Sequence, residues 1–88
     1  MAEAPHVASN RIAAEAATTM MKQSFVAKLS IGELAVTCET TLAIIVVAAA
    51  EQSLCQDKPR FAQEMIETIT ERAHNRAQAM LRGVPFRE

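Results

Sequence analysis

Apolar residues recur at helical spacing in three stretches of the chain, and two short breaks separate them. The first stretch predicts a helix from Arg11 to about Leu29, opened by Ser9 or Asn10 as an N-cap. Its early stripe is Ala13, Ala16, Ala17, Met20 and Ala27, opposed by Arg11, Glu15, Thr18 and Lys22. Phe25, Val26 and Leu29 leave that stripe for the other side of the helix, so its end must change contacts or meet something else.

Ser30-Ile31-Gly32-Glu33 has the spacing of a capping box, in which the Ser hydroxyl accepts from the N–H three residues on and the Glu carboxylate reaches back. A break is expected there, ahead of an uninterrupted helix from Arg11 to Gln56, which one glycine would tolerate at about 1 kcal/mol. The second helix is expected over Gly32–Gln56. It carries two apolar seams, one through Ala35, Cys38, Leu42, Ile45 and Ala49 and one through Val36, Ala43, Val47, Ala50 and Leu54. They lie roughly 120° apart around the axis, so two seams call for two packing partners. Ile44, Ile45, Val46 and Val47 individually favour strands, but the flanking Ala, Glu and Leu favour helix.

Asp57-Lys58-Pro59 ends that helix and opens a third, since proline restrains the residue before it and suits a first helical turn. The third helix is expected from Pro59 to about Arg82, with Gly83 as a left-handed cap and Pro85 blocking continuation. Its buried stripe is Ala62, Met65, Ile66, Ile69, Ala73, Ala77 and Met80. So short a connection makes the second and third helices antiparallel neighbours. In that register Glu39 comes level with Arg76 and Glu33 with Arg82, each pair of opposite sign. The predicted fold is therefore all-α, three helices with a long antiparallel hairpin of the second and third. Residues 1–8 are expected as a disordered tail, 9–83 as one helical domain and 84–88 as a C-terminal tail.

One run changes the picture. Leu42-Ala43-Ile44-Ile45-Val46-Val47-Ala48-Ala49-Ala50 is apolar on every side of a helix, and 88 residues leave only two other segments to cover it. A second subunit or a partner protein is the expected cover, so the chain is read as a homodimer that closes into a helical bundle and that also binds another protein. Glu39 and Glu51 bracket the run at about 18 Å along a helix, against a hydrocarbon layer of ~30 Å, so no membrane span is expected.

Composition agrees with helix packing. Hydrophobic residues make up 50% of the chain but aromatics only 3%, which suits packed aliphatic helices better than a ring-walled ligand pocket. A net charge of −1 gives no general attraction to nucleic acid or anionic lipid. The opening residues Met1-Ala2-Glu3-Ala4-Pro5-His6 lack a basic segment and a long apolar core, so a cytoplasmic protein is expected. Cys38 and Cys55, about 25 Å apart if they share one helix, are too far apart for an intrachain disulfide and are read as small hydrophobes.

Candidate chemistry is sparse. Glu71-x-x-His74 has the spacing of a di-metal bundle ligand pair, but both project from the polar side of the third helix, so no metal or cofactor is expected. The serines lack a Gly-x-Ser-x-Gly context and there is no Gly-rich phosphate loop, so no catalytic residues and no enzyme activity are expected. Arg72, His74, Asn75, Arg76, Gln78, Arg82 and Arg87 could face nucleic acid, yet Glu67, Glu71 and Glu88 share the region. Arg72 and Arg76, four residues apart, border the apolar stripe where an interface rim would lie. What remains is packing surface. The chain is read as a non-catalytic protein-binding protein, a small bacterial regulator that sequesters or modulates a partner. The interface residues are Phe25, Val26, Leu29, Val36, Ala43, Val47, Ala50, Leu54, Arg72 and Arg76. The alternatives are a helical DNA-binding regulator and a metal-binding or structural bundle subunit.

Overall fold

The structure, a computed structural model, describes residues 3–83. Three helices account for it: α1 (Pro5–Val26), α2 (Ile31–Gln52) and α3 (Lys58–Leu81), with no strand among the described residues. α2 and α3 pack together as the expected antiparallel hairpin. The chain groups into two compact units, Met1–Cys38 and Glu39–Glu88. The expected tail at 84–88, Pro85 included, lies outside the described residues, as do Met1 and Ala2.

α1 begins earlier than the Ser9 or Asn10 cap predicts. Pro5 occupies the first turn, where its missing N–H costs nothing, and Ala4 before it is extended (φ −63°, ψ 144°) as a pre-proline residue prefers. Residues 5–8, expected in the tail, are therefore the first turn of the helix. Glu3 ahead of it accepts from Arg11 Nε and Nη2 at 3.0–3.1 Å, placing a carboxylate near the positive end of the helix dipole.

The break between α1 and α2 forms as predicted, with a device the sequence did not announce. Leu29 N–H donates to Ser24 C=O at 3.0 Å and Lys28 N–H to Phe25 C=O at 3.1 Å, the paired bonds of a Schellman turn. That turn needs a left-handed residue, and Lys28 supplies it at φ 59° although glycine is the usual occupant. α1 thus ends at Val26 rather than Leu29. The capping box then starts α2: Glu33 N–H donates to Ser30 Oγ at 3.1 Å, and Ser30 N–H to Glu33 Oε1 at 3.0 Å.

α2 stops at Gln52, four residues short of the expected Gln56. The cause is competition for one carbonyl. Ala50 C=O accepts from Ser53 N–H at 3.2 Å, from Ser53 Oγ at 2.7 Å and from Lys58 Nζ at 3.0 Å, so the helical bond to the next turn gives way. Cys55 consequently lies in the connection, not on α2. α3 starts with Asp57 as N-cap, its side chain accepting from Arg60 N–H at 3.2 Å, and ends with Gly83 in the left-handed region at φ 80°.

The core is small. Val46 (1% exposed) and Ala50 (5%) are the buried apolar residues of the described chain, and Leu42 and Ala49 are half-buried on the same side of α2. On α3, Phe61, Ala62, Met65 and Ile69 are half-buried. Ile66, Ala73, Ala77 and Met80, expected in the α3 stripe, are exposed, as are Ala13, Ala16, Ala17 and Ala27 of the α1 stripe.

Candidate interaction surface

The α2 helix meets α3 along one face only. At about 100° per residue, Leu42, Val46, Ala49 and Ala50 cluster on one side of the helix, and Thr40, Ala43, Ile44, Val47, Ala48 and Glu51 cluster roughly 140° away. The second group lines a shallow groove of about 390 Å³. Ile44 is 65% exposed there and Val47 53%. The chain leaves bare the β-branched side chains it could least easily hide.

The sequence predicted two seams and the structure has two faces, but rotated. Val46 belongs to neither predicted seam and is the most buried residue, because the face toward α3 is centred on it. Ala50, expected at the partner interface, is instead enclosed within the chain. Ala43 and Val47 do lie on the bare face, together with Ile44, Ala48, Thr40 and Glu51, which the heptad count left out. A wheel centred on the most apolar arc, rather than a count of sevens, was the signal available for them. Leu54 is fully exposed in the connection after α2.

The other interface candidates divide between the two units. In the first, Phe25 is 86% exposed and Val26 is also bare, while Leu29 is half-buried. Val26 borders a second shallow groove with Lys22, Gln23 and Ala27. Val36 is exposed on α2. In the second unit Arg72 and Arg76 are exposed on α3, and Arg76 has an interaction partner.

Two charged groups beside α2 serve local structure. Glu33 is held below the ordinary carboxylate range by the Ser30 N–H it accepts and by the Ser30 hydroxyl; a carboxylate engaged there belongs to the helix start. Lys58 Nζ is given to the end of α2. Glu71 and His74 are exposed, and among the described residues no three metal-ligating side chains come together. Both cysteines are free and exposed; Cys38 Sγ sits 4.0 Å from Met20 Sδ and Cys55 Sγ 3.6 Å from Asp57 C=O.

Comparison with protein-family models, with curated proteins and with solved structures finds no match for the chain.

Proposed function

We propose that this chain is a non-catalytic protein-binding module, a small regulator that modulates a partner protein through its helical surface. One observation carries the reading: the aliphatic residues of α2 that face away from α3 stand in solvent. Burying an aliphatic side chain fully is worth about 1.5–3 kcal/mol, so covering the exposed parts of Ile44 and Val47 alone offers a partner about 2–4 kcal/mol. Phe25 and Val26 add a second anchor on the first unit, of the aromatic-plus-aliphatic kind that interface centres favour.

The test is capture from native cells with the full chain and with Phe25→Glu and Val47→Glu variants of unchanged helix content. A stoichiometric partner whose recovery falls about tenfold with either variant supports the reading, matching a loss near 1.4 kcal/mol. Absence of any stoichiometric partner for the unaltered chain refutes it.

A second reading has its own observation. α2 is long and apolar enough, by length and composition, to cross a membrane, with a mean hydropathy of 1.8 over its most apolar window. Against insertion stand Glu33, Glu39 and Glu51 on the same helix, each costing about 2.5–3.5 kcal/mol at a bilayer centre and less toward its surface.

A further inference from the structure

Resting on the reading of the α2 face as protein-covered, we infer that its occupant is the α2 helix of a second copy, packed antiparallel about a two-fold axis. The face reads the same from either end. Thr40, Ala43 and Ile44 lead into Val47, Ala48 and Glu51 as polar, small, large, then large, small, polar. Turning one helix over sets Ile44 level with Val47 of the other copy, Ala43 with Ala48, and Thr40 with Glu51. A closed two-fold contact requires this self-complementarity, and an unrelated partner does not.

Spacing agrees. Positions 40, 44, 47 and 51 alternate by four and three, as the core positions of a coiled coil do. Ala43 and Ala48 flank them and let the axes approach to the near end of the usual 8–10 Å. Charge selects the direction: a parallel pair would set Glu51 against its own copy, whereas the antiparallel pair sets Glu51 against Thr40. α3 packs on the other side of α2, so the face is open to a second helix. All six residues belong to one unit of the chain. The seam is about three turns long, well short of a standard interface, so the dimer dissociates in the micromolar range, with a Kd of about 1–100 μM.

Sedimentation of the full chain across that range should show a reversible monomer–dimer equilibrium. Val47→Glu, which buries two carboxylates per dimer, should raise the dissociation constant at least ~100-fold while leaving the far-ultraviolet dichroism unchanged. Direction is read by cross-linking after Cys38→Ser and Cys55→Ser remove the native thiols. Thr40→Cys with Glu51→Cys should form an intersubunit disulfide, and Thr40→Cys alone should not, since in this register its two copies lie about 16 Å apart along the axis. Efficient cross-linking by Thr40→Cys alone overturns the register. A monomer at every concentration overturns the dimer. A monomer that sediments with phosphatidylcholine–phosphatidylglycerol vesicles gives the face to lipid. A monomer that captures a different protein, and loses it on Val47→Glu, overturns the dimer while the proposed function stands. A dimer that captures nothing supports the inference and removes the function.

Discussion

Replacing Lys28 with glycine tests the break between α1 and α2 by the sign of its effect. Lys28 holds φ 59°, a left-handed conformation that costs an L-residue about 1–2 kcal/mol. Glycine removes that strain but brings back about 0.5–1 kcal/mol of chain entropy in the unfolded state. The net gain is about 0.5–1 kcal/mol, because Leu29 N–H to Ser24 C=O and Lys28 N–H to Phe25 C=O are backbone bonds that glycine keeps. Lys28→Ala, which leaves the strain in place, should change stability by less than about 0.5 kcal/mol. In a helix running unbroken through this segment the order reverses: alanine is neutral or better, and glycine costs about 0.8–1 kcal/mol. Thermal unfolding followed by circular dichroism at one fixed protein concentration reads the difference, since 1 kcal/mol shifts the midpoint of a domain this size by about 4–8 °C. Lys28→Gly should melt roughly 2–8 °C higher than the unaltered chain. A lower midpoint for glycine than for alanine would refute the Schellman turn.

Further outcomes follow from the same structure. Ser30→Ala removes the acceptor for Glu33 N–H and should cost about 1 kcal/mol in urea unfolding, with Ser30→Asp recovering most of it. Glu33 is held below its unfolded value, so its contribution is fully present above the unfolded value and fades as pH falls through the folded one; Glu33→Gln should flatten that acid limb of the stability–pH curve. Lys58→Met keeps the aliphatic stem but withdraws the charged donor from Ala50 C=O, and should cost about 1–2 kcal/mol by the same assay. Both thiols should react with a soluble disulfide reagent in the folded protein without a lag, two per chain; protection of either under native conditions would contradict their exposure.

What was legible in the sequence was local chemistry with few competitors. Ser30 and Glu33 stand three apart before an apolar run, and the structure makes both bonds that this spacing implies. Gly83 after a helical pattern takes the left-handed cap, and Asp57-Lys58-Pro59 divides two helices. The boundaries that moved depend on residues doing uncommon work. Pro5 could end a tail or open a helix, and the Glu3–Arg11 pair beside it is visible only once the helix exists. Lys28 carries no mark of a left-handed residue, because a positive φ at lysine is imposed by its neighbours' hydrogen bonds. The seams of α2 were rotated because heptad spacing assigns a repeat but not which arc of an all-apolar helix meets its neighbour. That choice is settled by packing against α3, which encloses Val46 and leaves Phe61, Ala62, Met65 and Ile69 half-buried. The bare surface was foreseeable in kind, from an apolar run too large for its chain, but not in its membership.

The bond from Lys58 to the Ala50 carbonyl ties the exit of one helix to the entrance of the next. Between them lie only the residues from Glu51 to Asp57, so the span is a clasp whose length is set at both ends. Chain added inside it separates donor from acceptor, freeing α2 to wind on toward Gln56 and turning the residues that follow onto new sides of the helix. A tag or reporter spliced into this hairpin would therefore disturb both of its arms. One joined beyond Gly83, where α3 has already closed on its own cap, leaves the clasp intact.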